Sequence, residues 1–401
     1  MPTGRQAPAQ TGPRSFGATD KEKSIRRIAR TRPLPVLAFL AITMIAAAGC
    51  VQQNNPQGWA GPVSSADGKT LVASTAKGKL SALKTDDFSR VWTFPTGDED
   101  PKIDLEAIYG TPLVDSTSVY FGGYDSSVYA LGLDDGKVRW RFDAGGPVIA
   151  GLGAIRGEVP PPGPGPVETV LVASETGSVY ALDAADGSVQ WRFDAGDDVW
   201  GAPLSTGTIY VASVNGKLFA LDGGGEPAWD EPFETGHGLI SDLVLSGDTL
   251  LIGGSDRTLH AVDAQTGKGL WSFKTDNWFW GRPLVDEKGG DVYAPNLDGR
   301  LYALSLADGK PVWDAPFEAE EPLRSAPVRA GNVLVIVDRG GNVYGLDPKV
   351  GTLKWSAAAK LEKTVLADPA VLDGKVIVSA EGGDLFTVDP AAGRFEKLVA
   401  K

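Results

Sequence analysis

One tryptophan-closed phrase returns along this 401-residue chain at intervals of 38 to 51 residues. Trp92, Trp140, Trp191, Trp229, Trp271, Trp313 and Trp355 each end a similar run, and Phe395 takes the eighth place. A period in this range marks a repeat architecture, in which one supersecondary unit cannot bury its own apolar face and is therefore copied and stacked. The fourth unit shows the internal order. It runs Trp200-Gly201-Ala202-Pro203-Leu204, then β-branched and aromatic runs over 208–213 and 217–222, then the Trp229 region. Short runs of this composition, bounded by Gly, Asn, Asp or Ser, read as four strands of an antiparallel sheet.

Third strands are expected at 79–83, 127–131, 178–182, 218–221, 258–262, 300–304, 342–346 and 384–388, which makes eight units. Turns before the fourth strands carry Gly136, Gly187, Gly267, Gly309, Gly351 or Gly393, where a hairpin loop calls for a positive φ. Eight four-stranded units of this length predict an all-β, eight-bladed β-propeller, in which radial repetition protects the strand edges. A solenoid is the alternative, but it needs polar end units that the sequence lacks. In a propeller the seven recurrent Trp are inter-blade wedges, each burying on the order of 150–250 Å².

The phrase Val179-Tyr180-Ala181-Leu182-Asp183-Ala184-Ala185-Asp186-Gly187-Ser188-Val189-Gln190-Trp191 resembles the repeat of pyrroloquinoline-quinone (PQQ)-type propellers. The likeness recurs in nearly every unit and covers residues 58–401. Among such propellers the chain is most similar to the lipoproteins of the outer-membrane β-barrel assembly (Bam) machinery. That resemblance implies a protein partner in the cell envelope. It equally raises a PQQ-dependent quinoprotein dehydrogenase. Many of those enzymes place adjacent, disulfide-linked cysteines at the cofactor and Ca²⁺-binding Glu, Asn and Asp around it. This chain has one Cys, and no metal ligands can be assigned, so the expectation is no metal and no PQQ.

The first 49 residues read as a lipoprotein signal peptide. Arg26, Arg27, Arg30 and Arg32 precede an apolar run over 34–48, which ends in small residues before Cys50. The run is shorter than the roughly 20 residues that a membrane span needs. Ala47-Ala48-Gly49-Cys50 resembles a bacterial lipobox, which implies cleavage and diacylation (palmitate-type) at Cys50. Residues 50–57 would then be a polar tether, and 58–401 the propeller. The chain carries a formal charge of −13, and −19 once 1–49 are set aside. Phosphate binding needs a basic footprint, so nucleic acid is excluded as a partner.

The residue opening each first strand forms a column: Trp59, Tyr109, Ile149, Trp200, Ile240, Trp280, Arg324 and Leu366. In a propeller this column rings one mouth of the central channel. Trp278, Trp280 and Arg282 cluster in one link. Exposed aromatics with Arg suit protein contacts, so the candidate partner surface is Trp59, Tyr109, Trp200, Trp278, Trp280, Arg282 and Arg324. Local blade packing is the alternative reading. No zinc-protease, Cys-x-x-Cys or phosphate-loop motif occurs. His260 stands where other units have Tyr or Phe, and reads as a packed aromatic substitute. Insertions at 98–107 and 158–167 read as tolerated loop drift. The chain is thus expected to be an exported, lipid-anchored, non-catalytic interaction scaffold, monomeric apart from its partner. A surface receptor for peptide or glycan is the competing binding reading.

Overall fold

The computed structural model describes residues 58–75, 78–99, 101–157, 165–355 and 359–398. These form eight four-stranded antiparallel sheets, each made from one continuous stretch with its strands in chain order. The sheets occupy residues 63–94, 113–143, 153–194, 204–234, 244–274, 284–318, 328–360 and 370–398 and are numbered here as blades one to eight. The expected third strands fall within a residue of Lys79–Lys84, Ser127–Gly132, Ser178–Asp183, Lys217–Leu221, Thr258–Asp263, Arg300–Ser305, Asn342–Leu346 and Asp384–Val388. The predicted signal peptide, Cys50 and the tether lie outside the described residues, as do 158–164 of the second insertion.

Eight apolar clusters hold the blades together, and each lies between two neighbours. The second and third strands are covered on both faces. In blade two Ser118–Gly122 and Ser127–Gly132 are buried throughout, while Val138–Asp143 is exposed except at its Trp and Phe. Two-sided burial replaces strict alternation with continuous apolar runs. The ring closes: Leu71, Ala73 and Leu83 of blade one pack on Leu372, Ile377 and Leu385 of blade eight. A propeller results, not a solenoid.

The seven Trp pack between blades, and each also donates its indole N–H to a carbonyl of the next blade. The acceptors are Leu133, Ala184, Gly223, Ala264, Leu306, Pro348 and Pro390, at 2.7–3.1 Å. The turn glycines prove to have two duties. Gly187 has φ +75°, and a Cβ there would meet the Trp140 ring at 2.8 Å. The same holds for all seven indoles and the turn glycine of the following blade. Each indole therefore lies flat on a glycine, with its N–H bonded beside it. Burial of such a ring stabilises the interface by at most about 4–6 kcal/mol.

Phe395 does not continue this series. In blades one, two, three and five the third-to-fourth pairing slips by one residue next to the Trp partner. In blade eight no slip occurs, so Phe395 pairs with Val388, in the place that Val138 holds opposite Leu131. It is 39% exposed and meets Phe386 of its own blade edge-to-face, at 6.0 Å between ring centroids. Across that seam the turn glycine is missing as well. Phe88 takes its place at φ +54° and packs with Leu398 against the closing cluster. The seam between blades eight and one thus lacks both halves of the indole–glycine clasp.

The link at 98–107 also differs from the expectation of loop drift. Leu105 and Ala107 are fully buried and Ile103 partly so, with Leu105 and Ile103 joining the cluster between blades one and two. Apolar side chains at the end of the insertion thus supply interface packing.

Candidate functional site: the channel mouth

Link geometry explains why the column faces the axis. In each of blades two to eight, an N–H of the turn between second and third strands bonds the link carbonyl two positions before the column residue. Examples are Tyr124 to Ala107, Glu175 to Pro147, Val214 to Asp198 and Leu297 to Trp278, at 2.8–3.0 Å. The next link residue (Ile108, Val148, Val199, Leu239, Phe279, Leu323 or Val365) is buried between blades. Strand alternation then turns the following residue, the column residue, toward the channel.

Seven of the column residues, Trp59, Tyr109, Ile149, Trp200, Ile240, Trp280 and Arg324, line two cavities at once. One, of about 280 Å³, also touches Tyr124 and Glu175 on the mouth side. The other, of about 480 Å³, reaches Thr111, Asp242, Arg282, Leu366 and Asp368 farther down the channel. The column is a diaphragm between two chambers.

Its side chains touch around most of the circle. Tyr124 meets Tyr109 at 5.6 Å between ring centroids, and Tyr109 meets Trp59 at 4.2 Å. The Arg324 guanidinium lies 4.2 Å from the Trp59 ring centroid and 4.5 Å from that of Trp280. Trp280 in turn meets Trp200 at 5.6 Å. An arginine between two indoles gains cation–π attraction of about 2 kcal/mol per face when desolvated. The same burial pushes its pKa down to about 10, helped by the charge of Arg339. Two buried donors in the diaphragm, Trp200 Nε1 and Arg324 Nε, have no acceptor among the described residues.

Acids flank the diaphragm on both sides. Burial raises the Glu175 pKa, and Asp198 raises it further; Asp198 is itself raised by burial and by Asp197. Below, Asp242 accepts the Ala202 N–H at 2.8 Å, and Asp368 accepts that of Ala326 at 2.6 Å. Asp368 Oδ2 lies 3.7 Å from Arg282 Nε. Burial raises the Asp368 pKa despite Arg282.

Of the residues singled out from sequence, Trp59, Tyr109, Trp200, Trp280 and Arg324 come together in the diaphragm. Arg282 sits in the lower chamber, two positions along. Trp278 lines neither chamber. It is 41% exposed on the outer rim, at the place that Asp198 holds in blade four. Tyr124, Glu175, Asp242 and Asp368 were not foreseen. Asp242 and Asp368 share Arg282's column, two beyond the first. Tyr124 and Glu175 sit on turns that only the closed ring brings to the mouth. His260 fills an aromatic place as expected, and its Nε2 bonds Asp256 Oδ2 at 2.8 Å, as Tyr129 and Tyr302 bond Asp125 and Asp298. His237 lines neither chamber.

A family model described as outer membrane protein assembly factor BamB matches residues 124–234, 215–358 and 297–396. The chain belongs to this family of PQQ-type propellers. The BamB of Salmonella typhimurium is 24% identical over 319 residues, covering 66% of this chain and 79% of that one. Relatives of the same description are matched over 55–79% of their own length. The crystal structure of BamB from Moraxella catarrhalis superposes with a TM-score of 0.63 at 18% identity, covering 83% of this chain and 93% of the other. The quinohemoprotein alcohol dehydrogenase of Comamonas testosteroni gives 0.64 at 15% identity, over 81% and 70%. At these identities the structures attest the fold alone.

Proposed function

We propose that this BamB-family propeller is a non-catalytic scaffold in outer-membrane protein assembly, which holds a protein partner at the diaphragm mouth. The observation that carries this is the ring of Trp59, Tyr109, Trp200, Trp280 and Arg324. Packing between blades is already served by the wedge Trp at seven seams and by the closing cluster at the eighth, so these side chains are free for another task. Large aromatics with an Arg at the centre of a concave surface are the residue types that dominate binding energy in protein interfaces. Trp278 extends the surface onto the rim. On this reading the chain is exported and acylated at Cys50, with 50–57 as its tether, and stands at an envelope membrane. Two acyl chains suffice for stable anchoring.

A redox role for the channel fits the residues poorly. The slot between the Trp59 and Trp280 indoles, where a flat quinone would stack, is filled by the chain's own Arg324.

Crosslinking in native membranes tests the scaffold reading. The wild-type chain captures a partner, and the Trp200→Ala/Trp280→Ala double variant, folded by circular dichroism, captures it at least tenfold less. Equal capture by both defeats the proposal. Loss of acyl labelling and of membrane association in Cys50→Ala tests the anchor separately.

A further inference from the structure

Arg324 is half-buried, and its guanidinium has no salt-bridged carboxylate among the described residues. A desolvated cation is costly unless an anion pairs with it, and aromatic faces offset only part of that cost. Asp368, the carboxylate below, attracts Arg324 only at a distance; it accepts the Ala326 N–H and lies beside Arg282. Arg339 adds repulsion, not relief. The Nε of Arg324 has no acceptor among the described residues, yet the side chain lines both chambers.

We infer that the diaphragm is a receptor for a single carboxylate borne by an extended polypeptide segment, which enters along the channel axis and pairs with Arg324. The planar guanidinium fork matches a carboxylate bidentately. One feature favours one carboxylate over phosphate or a polyanion. Glu175 stands in the upper chamber and Asp242 and Asp368 in the lower, so a multiply charged anion is repelled from either side. A chamber of about 280 Å³ above the ring admits a few extended residues, not a folded domain. This inference rests on the diaphragm being the partner surface and adds what the partner presents there.

The test titrates the purified chain with three acetylated alanine-based tetrapeptides. One has a free C-terminal carboxylate, one a C-terminal amide, and one an amide terminus with an internal Glu. The readouts are calorimetry and the Nε–H resonance of Arg324, assigned by its loss in Arg324→Lys. Saturable binding of a carboxylate peptide that shifts this resonance, with the uncharged amide inert, is the expected result. Which of the two acidic peptides binds tells a chain terminus from an acidic side chain. Arg324→Gln abolishes binding, and Arg324→Lys, which keeps charge and loses the fork, weakens it about tenfold. Equal binding of the uncharged amide, no binding by either acidic peptide, or tighter binding of inorganic phosphate overturns the inference. Partner capture that survives Arg324→Gln but not Trp200→Ala/Trp280→Ala refutes the carboxylate anchor alone. Capture unaffected by either refutes the partner surface itself.

Discussion

Trp140 lies face-on against Gly187: a Cβ on that glycine would come within 2.8 Å of the indole, while Trp140 Nε1 reaches past it to the Ala184 carbonyl at 2.9 Å. Six further Trp–Gly pairs repeat this clasp around the ring. It accounts for both the spacing of the Trp and the recurrence of the turn glycine that follows.

Gly187→Ala is therefore expected to cost about 2–4 kcal/mol, from a left-handed backbone plus overpacking against the ring. Gly68 has φ +70°, and a Cβ there would have nothing within 4 Å. Gly68→Ala should cost only the backbone share, about 1 kcal/mol. Urea denaturation of the two variants separates the contributions; equal losses would show that the indole contact carries no weight.

Trp140→Phe keeps most of the apolar wedge and deletes the donor to Ala184. A loss of about 1–2 kcal/mol is expected, against about 3–5 kcal/mol for Trp140→Ala. Thermal unfolding of both variants checks the order, and a Phe variant as unstable as the Ala variant would make the hydrogen bond the main element of the clasp.

The seam between blades eight and one gives a third expectation. Phe88 holds φ +54° where the other turns have glycine, and it packs on the closing cluster. Phe88→Ala loses the packing and keeps the strain, whereas Phe88→Gly loses the packing and relieves it. The Gly variant should be the more stable by about 1 kcal/mol, reversing the usual preference for Ala. Denaturation midpoints with Ala at or above Gly would contradict this.

Asp368 sets a pH dependence. Its pKa stands above the ordinary 3.8 because burial penalises the anion. The native state thus holds this proton more tightly than the unfolded chain, and stability falls as pH rises from 3.8 through the native titration. Asp368→Asn can still accept the Ala326 N–H and has nothing to titrate. Its stability relative to wild type should climb over that window; parallel pH profiles would show that Asp368 is not desolvated.

The repeat, the blade number and every third strand were legible in the sequence, because the period of the Trp and the apolar runs are local signals. Phe395 was misplaced because a one-residue slip beside the Trp leaves no mark in spacing. The first-strand column could be read off the chain, since its residues share one register. Its partners Tyr124 and Glu175 could not, because their turns reach the mouth only after the link carbonyls are pinned to them. Nor did any motif foretell Arg324 lying between Trp59 and Trp280, which come from blades one and six and meet only across the axis.

Each sheet is spun from a single unbroken stretch of chain, and no strand is lent across the closing seam. Whole repeats can accordingly be gained or lost by duplication or deletion without re-threading the polypeptide. The circumference is then set by how many wedge-shaped units complete a turn, and the junction lacking a clasp is where a lineage could most cheaply admit another.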